Sequence, residues 1–118
     1  MSMFQLRSEH LRAIAEEDFV VRVANLLGDL FPDAQDLPRD ELIRSVRAQM
    51  RRAMGYGFIA EQDVASYVVT AWLLGESFDT EFPAAGQILN APDPPEVRTA
   101  RLEEWTKVLF AALEEEGD

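Results

Sequence analysis

The segment Glu61 to Leu74 constrains the fold of this chain more than any other. Val64, Tyr67, Val68, Ala71 and Trp72 recur at i, i+3, i+4, i+7 and i+8, the spacing that gathers side chains on one face of an α-helix. Val69, Leu73 and Leu74 widen that stripe until most of the helix is apolar. Such a helix belongs at the centre of a helical assembly. The β-branched run Val68-Val69-Thr70 favours a strand, but the helical spacing and the closing Gly75 outweigh it. Gly55 and Gly57 stand before the segment. Glycine tolerates the left-handed conformation in which many helices end, so these positions read as helix stops.

The flanking segments obey the same period. Residues 8–31 carry Leu11, Ile14, Ala15, Phe19, Val23, Leu26, Leu27 and Leu30, with Ser8 placed to cap and Pro32 to stop them. The acidic cluster Glu16-Glu17-Asp18 leaves open one long helix or two shorter ones. Phe4 and Leu6 alternate ahead of it, as in a short extended arm. After a polar loop, residues 38–54 form a second helix with Pro38 in its first turn and Leu42, Ile43, Val46, Met50, Ala53 and Met54 as its apolar face. Gly75 to Phe82 reads as a loop, and Pro83 opens a short helix to Leu89. Asp93 and Pro94 start a last helix over 94–115, with the stripe Leu102, Trp105, Val108, Leu109, Ala112 and Leu113, stopped by Gly117. The expected architecture is all-α: a compact single-domain bundle of four main helices (8–31, 38–54, 61–74, 94–115) plus one short helix (83–89), all joined by short loops.

A length of 118 residues suits one domain. The chain has no cysteine, hence no disulfide, thiolate metal site or cysteine nucleophile. Its first residues lack the apolar core of a signal peptide. The longest uncharged run, Val64 to Gly75, has twelve residues, whereas a membrane span needs about 20. A cytoplasmic protein is expected. The net charge of −11 opposes phosphate-driven nucleic-acid binding and repels anionic membranes. It suits a solvated surface or a basic protein partner.

Catalytic patterns are scarce. His10 is the lone histidine and lacks the second histidine of a zinc helix. Ser8, Ser45, Ser66 and Ser77 lie in no nucleophile elbow, and Ser66 is placed to bond back to the carbonyl one turn earlier. The glycines form no phosphate loop. Asp79 and Glu81 are spaced for an acid/base or metal pair, but carboxylates are so abundant that each carries little information. We therefore expect no enzyme, no metal site and no cofactor. Two features remain for partner binding. Arg44, Arg47 and Arg51 share one face of the second helix. They pair with the chain's own Asp40, Glu61 or Asp79, or they grip a carboxylate-bearing partner. The second feature is the loop with Glu76, Phe78, Asp79 and Phe82, whose aromatics either meet a partner or plug the end of the bundle. Trp72 and Trp105 read as core.

The stretch from Arg51 to Leu89 resembles a family of small bacterial proteins. The shared positions are Arg52, Ala53, Tyr56, Gly57, Glu61, Asp63, Val64, Tyr67, Leu74, Gly75, Phe78, Asp79, Pro83, Ala85, Ile88 and Leu89. Members are encoded among type VI secretion genes, near spike proteins and lysozyme-like effectors, and most have no assigned function. The tryptophan that the family carries after the proline is Ala84 here, and the serine or threonine before Glu61 is Ala60. Each shared position also has a structural account. Gly57 and Gly75 end helices, Tyr56 and Tyr67 bury rings around a bonded hydroxyl, and Asp79 either caps the short helix or meets Arg52.

The resemblance implies a non-enzymatic protein-binding module, an adaptor or chaperone for a secreted effector or spike component. Arg44, Arg47, Arg51, Glu76, Phe78, Asp79 and Phe82 are the expected contacts. An immunity protein against a cytoplasmic toxin is the alternative, and a structural or homo-oligomerising module a further one.

Overall fold

The structure, a computed structural model, describes the backbone of residues 3–116 and the side chains of residues 16–115. The described residues form helices only: α1 Met3–Leu30, α2 Pro32–Gln35, α3 Arg39–Gly55, α4 Glu61–Leu74, α5 Phe78–Glu81, α6 Pro83–Leu89 and α7 Pro95–Glu116. The chain is all-α, with the four main helices expected. Two short helices, α2 and α5, join the one anticipated.

Contacts cluster into two units, residues 1–48 and 49–118, divided within α3. In the first unit α1 packs against α2. Helix α1 is continuous and begins at Met3, so Phe4 and Leu6 lie in it rather than in an extended arm, and Ser8 is inside the helix rather than at its cap. The acidic cluster does not break it, because its residues face solvent and find partners. Asp18 accepts from Arg22 one turn on, at 3.0 Å, and Glu17 pairs with Arg47. The side chains of His10, Leu11, Ile14 and Ala15, and the stop at Gly117, lie outside the described residues. Phe19, Val20, Val23, Ala24 and Leu27 are buried, whereas Leu26 and Leu30 are exposed. Pro32 ends α1 and also supplies the first residue of α2, where its missing N–H costs nothing.

The second unit centres on α4, as its apolar girth predicts. Val64, Tyr67, Val68 and Ala71 are buried, with Trp72 half-buried and Leu73 exposed. Helix α3 reaches it through a tight C-terminal lock. Phe58 N–H donates to Ala53 O at 3.2 Å and Gly57 N–H to Met54 O at 2.9 Å. This six-to-one and five-to-two pair is a Schellman motif. It requires the left-handed residue that Gly57 supplies at φ 93°. The lock turns Phe58 inward, fully buried, beside Ala53.

Helices α5 and α6 form a corner, and α7 packs against α4 and α6. Helix α7 starts one residue later than expected, at Pro95. Asp93 does not serve as its side-chain cap, since its carboxylate pairs with Arg101. Ser66 likewise does not bond back along α4. It donates to Glu103 of α7 at 2.8 Å, and Thr70 makes the back-bond to Ser66 O instead.

Candidate functional site

Two regions of the second unit concentrate unusual chemistry. The first lies where α3 ends beside α5. Arg52 Nη2 donates to both carboxylate oxygens of Asp79, at 2.6 and 2.5 Å, and Tyr56 Oη donates to Asp79 Oδ2 at 2.7 Å. The Asp79 side chain is only 2% exposed, against 41% for Arg52. Burial alone would raise the Asp79 carboxyl, but the Arg52 and Tyr56 hydrogen bonds outweigh it and hold the group below its usual range. Arg52 is pushed up by the same carboxylate. Tyr56 is pushed up by burial first and by Asp79 second. Burial chiefly, then the Asp79 charge, pushes Tyr67 up to about 12.

Tyr67 stacks in the middle of an aromatic cluster, with ring centroids 5.1 Å from Phe78, 6.0 Å from Tyr56 and 6.3 Å from Phe58. Its buried hydroxyl makes no hydrogen bond of good geometry, although Arg52 lies close enough to act on it.

Beside this cluster Arg98 acts as a staple. Its Nη1 donates to Tyr56 O at 2.7 Å and Leu89 O at 2.8 Å, and its Nε to Asp93 O at 3.0 Å. The guanidinium also lies 4.7 Å over the Phe58 ring, in cation–π range. One buried arginine therefore ties the ends of α3 and α6 to the root of α7. Chemically, the Asp79 carboxylate is engaged at both oxygens. Asp79 remains an anion with its acceptors occupied, and its neighbours have lost acidity. These are poor properties for a general acid or base at neutral pH.

The second region is the far end of α7. Leu102 and Thr106 are buried, and Trp105 is half-buried with its ring edge-on to Phe82 at 5.5 Å. Beyond them Val108 is 58% and Leu113 50% exposed, Ala112 is exposed, and Leu109 is half-buried. The cause is length. Helix α7 has 22 residues against 14 in α4 and 7 in α6, so at 1.5 Å per residue it is about 12 Å longer than α4. The structure covers only the first half of its apolar stripe.

The sequence-nominated contacts fare unevenly. Phe78 is fully buried and Asp79 is locked to Arg52, so neither offers a side chain to a partner. Both belong to α5 rather than to an exposed loop. Phe82 plugs the corner against Trp105, and Glu76 and Glu81 are exposed. Arg47 pairs with Glu17. Arg44 meets Asp40 only at 3.9 Å while 75% exposed, a contact worth little. Arg51 is exposed with no ion pair among the described residues.

In the first unit an open cleft of about 540 Å³ includes Asn25, Gly28, Gln35 and Arg39 in its lining. Hydrogen bonds from Arg39 to Asn25 and from Gln35 to Gly28 O, both 2.6 Å, engage Asn25, Gln35 and one nitrogen of Arg39. Among the described residues no cluster of His, Asp or Glu could hold a metal ion, and no helix is long and apolar enough to cross a membrane.

No known protein family, curated protein or solved structure matches the chain.

Proposed function

We propose that this chain is a non-enzymatic protein-binding module that acts in the cytoplasm as an adaptor or chaperone for a type VI secretion effector or spike component. The observation that carries the binding role is the uncovered apolar end of α7, with Val108 and Leu113 both at least half exposed. Exposed apolar side chains gathered on one face mark protein-interaction sites. The secretion setting rests on the resemblance of the Arg51–Leu89 stretch. The exposed Arg51 supplies a second place for carboxylates of the same partner.

Co-purification with the products of neighbouring genes tests the reading. Capture of one of them, lost in Val108→Asp or Arg51→Glu while the helical spectrum is kept, supports it. Failure of every neighbouring product to bind sinks it. Survival of a toxin-producing cell through this gene alone replaces it with the immunity role.

A further inference from the structure

The cleft of the first unit is lined by two opposite charges that do not neutralise each other. Its floor is apolar, with Ala24, Ala34 and Leu42 all buried. Leu37, 37% exposed, adds an apolar wall. Arg39 and Asp29 also line it. Both are exposed, and neither has an ion pair among the described residues.

Arg39 is positioned without being neutralised. One of its nitrogens donates to the uncharged Asn25 Oδ1 at 2.6 Å, and the rest of its donor fork is unspent. Asp29 stands four residues beyond Asn25 on α1, about 6 Å along the helix axis. The cation and the carboxylate therefore border one apolar floor about a helical turn apart.

That arrangement selects among small molecules. A simple anion suits Arg39 and is opposed by Asp29, and a simple cation meets the reverse. An uncharged apolar molecule covers the floor but strips water from both charges without replacing it. A molecule with a carboxylate and an ammonium a few ångströms apart, and an apolar side chain beside them, satisfies all three parts. Its carboxylate accepts from the free donors of Arg39, its ammonium donates to Asp29, and its side chain lies on Ala24, Ala34 and Leu42. The volume of about 540 Å³ is within the range of small-molecule sites.

We infer that this cleft binds a free α-amino acid with an aliphatic side chain. The inference goes beyond the partner-binding reading above and stands without it.

The probe is L-leucine, titrated into the full ¹⁵N-labelled chain while the Gly28 amide shift is followed. Three controls each lack one part: 4-methylpentanoate has no ammonium, isopentylamine no carboxylate, and L-aspartate no apolar side chain. Leucine should saturate with a Kd on the order of 1 mM, as suits an open cleft, and each control should bind at least tenfold more weakly. Arg39→Gln and Asp29→Asn should each weaken leucine binding at least tenfold with the helical spectrum kept, since both side chains are exposed. Leu37→Asp, which leaves both charges in place, should weaken it as well. Absence of saturation by about 20 mM leucine, well above the expected Kd, overturns the inference. So does any control that binds as tightly as leucine, or leucine binding that is unchanged in both charge variants.

Discussion

The Arg52–Asp79 latch and the end of α7 belong to one compact unit yet are opposites. The latch holds an arginine, an aspartate and two tyrosines, the residue types that usually advertise a functional site. Every acceptor of its carboxylate is taken, and its ionisable groups are pushed away from neutral pH. The end of α7 holds mostly apolar residues and glutamates, and Val108 and Leu113 are at least half exposed. Unusual chemistry that is internally complete stabilises a fold. Ordinary chemistry left incomplete is where a partner is needed.

Substitutions can break this contrast, beginning with the largest effect. Asp79→Ala leaves the Tyr56 hydroxyl and Arg52 without their shared acceptor. Arg52 is part-exposed and rehydrates, so the loss should be about 3 kcal/mol, the lower end for a broken buried pair, measured by urea unfolding. The pH dependence follows in sign. A carboxyl with a depressed folded value contributes its full stability above its ordinary value of 3.8 and loses it as the pH falls below that. The stability gap between the wild type and Asp79→Asn should therefore narrow below about pH 4. A gap that persists unchanged at lower pH would assign the latch to packing rather than charge.

Gly57→Ala comes next. It forces a side chain into the left-handed region and brings a Cβ to 3.4 Å from Arg98 Nη2. The strain should cost about 1–2 kcal/mol, seen as a lowered Tm.

Tyr67→Phe should be smaller and opposite in sign. Removing a buried hydroxyl that makes no hydrogen bond of good geometry should stabilise the protein by about 0.5–1 kcal/mol. It should also reduce the loss of stability between pH 10 and 12 that follows from a folded value of about 12, leaving the part due to Tyr56. A destabilised variant would show that the hydroxyl is paired.

Val108→Asp and Leu113→Glu should move stability least, within about 0.5 kcal/mol, because both sites are solvated. If either approaches the effect of Asp79→Ala, the end of α7 is covered in solution and the contrast collapses.

Much of this was legible in the residues, and the rest was not for definite reasons. The 3.6 period placed all four long helices, because each buries enough of one face to show it. Glycine chemistry placed the end of α3. The Arg52–Asp79 contact was one of two partners available to Asp79. Helix α5 reads as a loop in the sequence because four residues are too short for a period to appear, which leaves open whether Phe78 meets a partner or plugs the bundle. Nothing local distinguishes Arg98 from the other arginines, since its three carbonyl acceptors are set by how α3, α6 and α7 meet. The stripe of α7 announced its apolar face but not its cover. Cover depends on where α4 and α6 lie along α7, which only the assembled fold reveals.

The Arg98 staple has a mechanical consequence. It clamps α7 at its root, Leu102 and Thr106 extend the grip by two turns, and the remaining turns project like the free arm of a cantilever. A load applied at the tip bends the arm before it strains the carbonyls at the clamp. A displacement at the tip therefore leaves the aromatic cluster behind the clamp closed.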